Sequence, residues 1–113
     1  MHELSVTESL LRIAVEHAEK ANATRVTDLN IVIGDLASMV DESIQFYWDI
    51  IAKGTIAEQA KLHFRRIPAE LQCNTCSARY RPTEQELICP NCRSVGAKII
   101  TGEEFFLESI DVD

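Results

Sequence analysis

Two cysteine pairs constrain this chain more than any other feature. Cys73 and Cys76 form a Cys-x-x-Cys pair, and twelve residues later Cys89 and Cys92 form a second one. Two residues between cysteines allow a tight turn to direct both sulfurs at one point, and a second such turn completes a tetrahedron. The spacing therefore predicts a four-thiolate metal site. Because the site uses all 4 cysteines of the chain, no thiol remains for redox or nucleophilic chemistry.

Two disulfides and an iron site are the alternatives to zinc that the spacing leaves open. Disulfides would require an oxidising compartment, and the N-terminus shows no basic stretch followed by an apolar run, as an export signal would. We therefore expect a cytoplasmic protein. Four cysteines also suit iron. Zinc is favoured because four thiolates are a usual structural site for it in a reducing compartment.

The composition limits the classes of function. At 113 residues the chain has material for one modest core and a metal-stapled lobe. The balance of 11 basic against 18 acidic side chains gives a net charge of −7, which argues against a nucleic-acid partner. No apolar run approaches the length of a membrane span, so no membrane association is expected.

The first part of the chain alternates helical and strand periodicity. Ser5 and Glu8 read as a capping box that would start a helix, and Asn22 reads as its left-handed C-cap. Apolar residues at every second position predict a strand over Arg25 to Gly34. Asp41 then reads as the N-cap of a second helix. We expect one apolar face on this helix, made by Ile44, Trp48 and Ile51 and joined by Phe46 and Ile50.

Two further strands are predicted, and the cysteine segment separates them in the chain. Lys61 to Ile67 and Glu103 to Val112 both alternate in polarity. The resulting fold class is α+β: a three-stranded antiparallel sheet with two helices on one face, plus an inserted four-cysteine lobe like a zinc ribbon. We expect residues 1–69 and 99–113 to form the α/β domain and residues 70–98 to form the zinc-binding domain.

A second place for metal chemistry lies at the extreme N-terminus. The α-amine of Met1, the amide nitrogen of His2 and the His2 imidazole can chelate one metal through small fused rings, and Glu3 offers another amide or a carboxylate oxygen. A bulky residue after the initiator methionine disfavours its removal, so we expect Met1 to be retained. Nitrogen-rich, square-planar coordination suits nickel(II) or copper(II) better than zinc. A histidine near a terminus is also a common solvated residue, so the residues alone leave this reading open.

Three segments together resemble the HypA/HybF family, the nickel metallochaperones of nickel–iron hydrogenase maturation. They are the opening Met1-His2-Glu3-Leu4-Ser5, the strand end Val32-Ile33-Gly34-Asp35, and the cysteine pattern with its twelve-residue spacer. The resemblance spans essentially the whole chain, and the family's order of elements is the order predicted above. It implies that the protein is a carrier of nickel and not an enzyme.

The resemblance also implies roles for individual residues. His2 would be the essential nickel ligand, with the Met1 amine and nearby backbone nitrogens completing the site and Glu3 in support. Asp41 matches a carboxylate that the family places near the nickel at the start of the second helix. Structural zinc would be held by Cys73, Cys76, Cys89 and Cys92.

The family's partners are a nickel-handling GTPase accessory protein and the hydrogenase large-subunit precursor. Some relatives serve urease, so urease maturation proteins are further candidates, and the protein itself is expected as a monomer or weak homodimer. The sequence contains no Gly-x4-Gly-Lys-Ser/Thr loop, so energy for delivery would come from a partner.

Two other functional classes compete with the carrier. The first is a zinc-ribbon adaptor that binds other proteins and has no nickel role of its own; its N-terminal histidine would be incidental. The second is a zinc hydrolase, but catalytic zinc keeps one position open for water, and four thiolates close that position. We rank the carrier first, the adaptor second and the enzyme last.

Overall fold

Two helices and six strands make up the fold of this protein, of which a computed structural model describes residues 2–82 and 88–113, with only the backbone for His2. The strands form two three-stranded sheets, in the orders β2-β1-β6 and β4-β3-β5. This architecture is the predicted α+β class. In chain order the elements are α1 (His2–Lys20), β1 (Val26–Gly34), α2 (Asp41–Ile51), β2 (Lys61–Ile67), β3 (Glu70–Cys73), β4 (Arg79–Tyr80), β5 (Ala97–Thr101) and β6 (Phe105–Val112).

The second sheet corrects the predicted arrangement, which had one sheet only. It lies in the cysteine segment, where β3 pairs antiparallel with β4 through Leu71 and Tyr80 and with β5 through Leu71 and Ile99. Strands of 2 to 5 residues are too short to display an alternating pattern of polarity. They are recognised by their pairing with neighbouring strands and not by their own sequences. The two helices pack against each other, and their location on one face of the first sheet stays a prediction.

The chain divides into two compact units. One comprises Met1–Ile31, Ser38–Arg65 and Phe106–Asp113; the other comprises Val32–Ala37 and Arg66–Phe105. Each is therefore assembled from separated segments of the sequence. These units are defined by their compactness. The division into an α/β domain (residues 1–69 and 99–113) and a zinc-binding domain (residues 70–98) stays a prediction. No helix in the described part of the chain is long and apolar enough to cross a membrane.

Helix α1 begins at His2, so the predicted capping box is wrong: Ser5 lies inside the helix. The hydroxyl of the fully buried Thr7 donates to the backbone carbonyl of Glu3 within the same turn. The predicted end is confirmed, because Asn22 has a φ of 56°. The amide of Ala23 donates to the carbonyl of Ala18 at 2.9 Å, which satisfies one of the last helical carbonyls.

Helix α2 departs from prediction at its start and on its outer face. Val40 is the N-cap and makes no side-chain capping bond, so Asp41 is the first helical residue and not the cap. Ile44 and Trp48 are buried as expected. Phe46 and Ile50 are 61% and 54% exposed, which contradicts the prediction that they join the core. Because apolar residues occur all round this helix, periodicity alone does not identify the buried side.

The start of the second unit depends on a close backbone approach at the end of β1. Gly34 donates to the carbonyl of Glu104 at 2.7 Å, and Leu36 donates to the carbonyl of Gly102 at 2.7 Å. A Cβ at Gly34 would lie 2.0 Å from the carbonyl oxygen of Gly102. The position therefore admits no side chain without displacement of backbone. Arg66 adds a bond from Nη1 to the Gly34 carbonyl at 3.3 Å.

Candidate metal centre

The first cysteine pair lies on a tight turn that follows β3. The amide of Ser77 donates to the carbonyl of Cys73 at 3.0 Å, and the amide of Cys73 donates to the carbonyl of Ala78 at 2.9 Å. The chain can close this turn because Ser77 adopts a left-handed conformation with a φ of 64°. We call this turn, residues 73–78, the first knuckle.

The second cysteine pair repeats the same geometry. The amide of Arg93 donates to the carbonyl of Cys89 at 2.9 Å, and the amide of Cys89 donates to the carbonyl of Ser94 at 2.9 Å. Arg93 has a φ of 66°, at the position equivalent to that of Ser77. We call residues 89–94 the second knuckle. Two equivalent turns thus present two sulfurs each, as the spacing predicts.

The four sulfurs form one cluster, with all Sγ atoms within 4.8 Å of one another. The contacts cross between the knuckles: Cys73 to Cys92 is 3.4 Å and Cys76 to Cys89 is 3.6 Å. Both distances far exceed a disulfide bond of about 2.05 Å. A tetrahedral zinc–thiolate site with bonds of about 2.3 Å has sulfurs about 3.8 Å apart, so the donor set and its spacing fit this ion.

The cluster is partly enclosed by its own lobe. Cys73 and Cys89 are 2% and 0% exposed, and the other two cysteines are half-buried. Leu71 and Tyr80 complete the buried cluster around them. Burial raises the pKa of the Tyr80 phenol, and the neighbouring thiolates add to the rise, which keeps that hydroxyl neutral. The surroundings therefore favour a closed structural site over one that admits a water ligand.

Hydrogen bonds to sulfur favour the thiolate form in the first knuckle. The backbone amides of Cys76 and Thr75 lower the pKa of Cys73, and the Thr75 nitrogen is 3.3 Å from its sulfur. The side-chain amide of Asn91, then the backbone amide of Ala78, lower the pKa of Cys76 to about 6. A deprotonated thiolate is the form that binds a metal ion.

Cys89 differs from these two residues. Although the backbone amide of Cys92 favours its thiolate, burial and the neighbouring thiols raise the pKa of Cys89 above the usual value. Four negative sulfurs in one half-buried place repel one another, and a divalent cation relieves that repulsion. The electrostatics thus agree with the geometry.

The predicted N-terminal ligands lie only partly within the described residues. Met1 lies outside the described residues, and so does the side chain of His2, whose backbone opens α1. Glu3 is half-buried in the first helical turn, and Asp41 is half-buried at the start of α2. In the described part of the chain, the four cysteines are the group of metal-ligating side chains that the structure brings together.

Sequence reasoning missed three residues that shape the centre: Ser77, Arg93 and Asn91. The residue types of Ser77 and Arg93 do not indicate a left-handed conformation. The available signal was their position, because each directly follows the second cysteine of its pair. Asn91 lies in the second knuckle, and its side-chain nitrogen is 3.4 Å from the sulfur of Cys76 in the first. Its position between two cysteines was the available signal.

Comparison with known proteins gives the family that the sequence resembles, HypA, over essentially the whole chain. The HypA family model, described as hydrogenase/urease nickel incorporation, metallochaperone, matches residues 1–112. A hydrogenase maturation factor HypA of Dehalococcoides mccartyi is 44% identical over 113 residues, which cover 100% of this chain and 95% of the relative. The HypA of Caldanaerobacter subterraneus is 40% identical, with 100% of both chains covered.

Solved structures agree with the fold. The solution structure of the Ni metallochaperone HypA from Helicobacter pylori superposes with a TM-score of 0.66 at 26% identity, covering 97% of this chain and 96% of that one. A second solution structure of a HypA protein gives a TM-score of 0.73 at 27% identity, covering 99% and 96%. Fold and thiolate cluster define a small α+β metal-binding protein with paired cysteine knuckles. This chain belongs to the HypA family of metallochaperones.

Proposed function

We propose that this protein is a nickel metallochaperone of hydrogenase maturation that carries nickel(II) at its N-terminus and zinc in its cysteine lobe. The observation that carries the proposal is the match to the HypA family over residues 1–112, together with relatives that are named hydrogenase maturation factors. Zinc is a resident structural ion in this proposal, whereas nickel is the cargo.

The four thiolates hold zinc and stabilise the lobe. Cys73, Cys76, Cys89 and Cys92 supply soft donors in a closed, half-buried cluster, and metal binding of this type contributes folding free energy. A closed site supplies no position for a water nucleophile, so the zinc does not act in hydrolysis. We assign this role to the zinc-binding domain at residues 70–98.

Nickel binds a different type of ligand, nitrogen donors in place of thiolate sulfurs. The proposed ligands are the Met1 amine, backbone nitrogen and the His2 imidazole, with Glu3 in support. The start of α1 at His2 supports this arrangement, because the first amides of a helix have no intrahelical acceptor. Asp41 is a further carboxylate in this proposal, in the α/β domain of residues 1–69 and 99–113.

Separate ligand types keep the two ions apart. Thiolates suit zinc, and amine, amide and imidazole nitrogens in a plane suit nickel(II). The terminal nickel site also stays open to ligands from a receiving protein. Protonation of the imidazole and amine removes donors, so we expect acid to release nickel.

The partners follow from the role in maturation. We propose a nickel-handling GTPase as the source of energy for transfer and the hydrogenase large-subunit precursor as the recipient, with urease maturation proteins as further candidates. No Gly-x4-Gly-Lys-Ser/Thr loop occurs in this sequence, which supports a separate nucleotide-hydrolysing partner.

A nickel titration of the zinc-loaded, tag-free protein tests the proposal. We expect stoichiometric binding by calorimetry and visible absorption, loss of binding in His2→Ala, and unchanged zinc content. His17→Ala is the matched control, because His17 is an exposed histidine of the same helix. A variant with one glycine added before Met1 tests the amine ligand separately.

The adaptor is the second candidate, and the same titration distinguishes it. If His2→Ala and the wild type bind nickel equally, the cargo site lies elsewhere in the chain or the protein has no nickel role. A His17→Ala variant that loses nickel would relocate the site to the end of α1. Either result would contradict the proposed ligand set.

A further inference from the structure

Asn91 makes a contact that joins the two knuckles. Its side-chain nitrogen Nδ2 is 3.4 Å from the sulfur of Cys76, which belongs to the other knuckle. The Thr75 donor to sulfur comes from the backbone of the first knuckle itself, at 3.3 Å from Cys73. Any residue except proline can supply a backbone donor of this kind, whereas the contact to Cys76 requires a side chain that carries a hydrogen-bond donor.

The position of Asn91 makes this contact asymmetric. Asn91 is the third residue of the second Cys-x-x-Cys pair, and Thr75 is the equivalent residue of the first. The backbone amide of Thr75 donates to Cys73. The backbone amide of Asn91 likewise favours the Cys89 thiolate, and the Asn91 side chain adds a contact to Cys76. The two knuckles share the geometry of their turns, and in the described part of the chain the side chain of Thr75 makes no contact that matches the one from Asn91 to Cys76. Thr75 therefore serves as an internal reference for the effect of the Asn91 side chain.

A hydrogen bond to a thiolate withdraws charge from the sulfur. The sulfur then becomes a weaker nucleophile, and its bond to a bound metal is protected from attack by competing electrophiles and protons. The ligand is also held in orientation by a partner outside the metal's own ligands. Cys76 is half-buried, so a protecting donor matters more there than at the fully buried Cys73 and Cys89.

We propose that Asn91 is a positioning residue that locks Cys76 into the zinc site and thereby sets the rate at which the protein loses zinc. The inference rests on the proposed occupancy of the cluster by zinc. It gives a specific role to a side chain that binds no metal. The contact from Asn91 joins the two knuckles and keeps the half-buried Cys76 sulfur from being the first ligand to dissociate from the metal.

Zinc loss from the full-length, zinc-loaded protein into excess chelator is the first test. We expect Asn91→Ala to lose zinc about tenfold faster, the effect typical of removing a partner of a metal ligand. Thr75→Ala is the matched control and should stay within about twofold, since its backbone donor remains. Asn91→Gln, which retains an amide on a longer side chain, should recover part of the difference.

A second readout separates positioning from a general loss of structure. The zinc-loaded variants are treated with limiting iodoacetamide, and each cysteine is quantified by mass spectrometry. In Asn91→Ala we expect Cys76 to become the first thiol modified, whereas a merely loosened lobe would expose all four thiols alike.

Three results would overturn the inference. They are equal zinc-loss rates in Asn91→Ala and Thr75→Ala, uniform modification of the four cysteines, and full retention of zinc in a variant that lacks the amide. A purified wild-type chain with no zinc would instead overturn the proposed zinc site and this inference with it, and metal analysis distinguishes that case.

Discussion

Ser77 and Arg93 hold equivalent left-handed conformations, with φ of 64° and 66°, one residue after the second cysteine of their knuckles. Each amide donates to the carbonyl of the first cysteine in its own knuckle, at 3.0 and 2.9 Å. The sulfur geometry therefore depends on two residues that bind no metal. This conformation costs a non-glycine residue about 1–2 kcal/mol, so both positions carry a strain that substitution can change.

Substitutions at Arg93 should change zinc affinity in opposite directions. Arg93→Gly relieves the left-handed strain but adds chain entropy to the unfolded state, for a net gain of about 0.5–1 kcal/mol. Arg93→Val places a β-branched residue there and should cost about 1–2 kcal/mol. With zinc in the cluster, as proposed, metal binding contributes to folding of the lobe, and chelator competition should show the Gly variant binding zinc about tenfold or more tightly than the Val variant.

Ser77 supplies the replicate for this prediction. Ser77→Gly and Ser77→Val should rank in the same order, since the backbone geometry of the two knuckles is equivalent. Equal zinc affinities for Gly and Val at both positions would show that the left-handed conformation does not limit the site.

Gly34→Ala should destabilise the protein by about 3 kcal/mol or more. The new Cβ would lie 2.0 Å from the Gly102 oxygen and 2.8 Å from the Glu103 nitrogen, so backbone must move to accept it. Urea denaturation followed by far-UV circular dichroism measures the change. Gly96→Ala is the control, because its nearest atom is the Asn74 side chain at 3.4 Å, an ordinary contact. Equal unfolding midpoints for the two variants would contradict the close approach.

Asp28 should make stability depend on acid pH. Hydrogen bonds from His63, at 2.7 Å, and from Thr27, at 2.8 Å, lower the pKa of the Asp28 carboxyl in the folded state. A lowered folded pKa means that the stabilisation is present above the unfolded value of about 3.9 and is lost as pH falls through the folded value.

Asp28→Asn tests this pH dependence. The variant should have a lower urea midpoint than the wild type at pH 7, and the difference should shrink as pH falls below about 4. Glu58→Gln, at an exposed carboxylate of the same unit, is the control and should track the wild type. A difference that stays constant from pH 7 to pH 3 would show that the Asp28 charge is not responsible.

Removal of residues 106–113 should unfold the unit that contains Trp48. The C-terminal residue closes onto the start of β1: the Asp113 amide donates to the Arg25 carbonyl at 2.9 Å, and Thr24 donates to the Asp113 carbonyl at 3.0 Å. Without β6 only two strands of this sheet remain, which is marginal in water. Trp48, the sole tryptophan, is 1% exposed, so its emission should shift to longer wavelength.

Asp113→Asn is the control for the truncation. It removes the ion pair with Arg25 but leaves both backbone bonds, and exposed ion pairs contribute little to stability. Its Trp48 emission should match that of the wild type. A truncated chain with unchanged emission would show that β6 is dispensable for this unit.

Local signals predicted much of the fold and the whole thiolate cluster. Four cysteines at two-residue and twelve-residue spacings specify their own turns, and the structure brings their sulfurs within 4.8 Å. Strand β2 begins at Lys61 and ends at Ile67, as its alternating pattern predicts. The left-handed Asn22 at the end of α1 was also predicted, because a short polar side chain tolerates that conformation.

By itself, then, the sequence determined the class of fold, the thiol donor set and the family, because each depends on short-range spacing or on a pattern along the chain. The tertiary structure alone decided which side of α2 is buried, leaving Phe46 and Ile50 exposed, and it alone revealed the sheet of β3, β4 and β5. It also brought Asn91 to the sulfur of Cys76. These features depend on contacts between residues distant in sequence, and the local pattern of the chain does not specify which residues those contacts join.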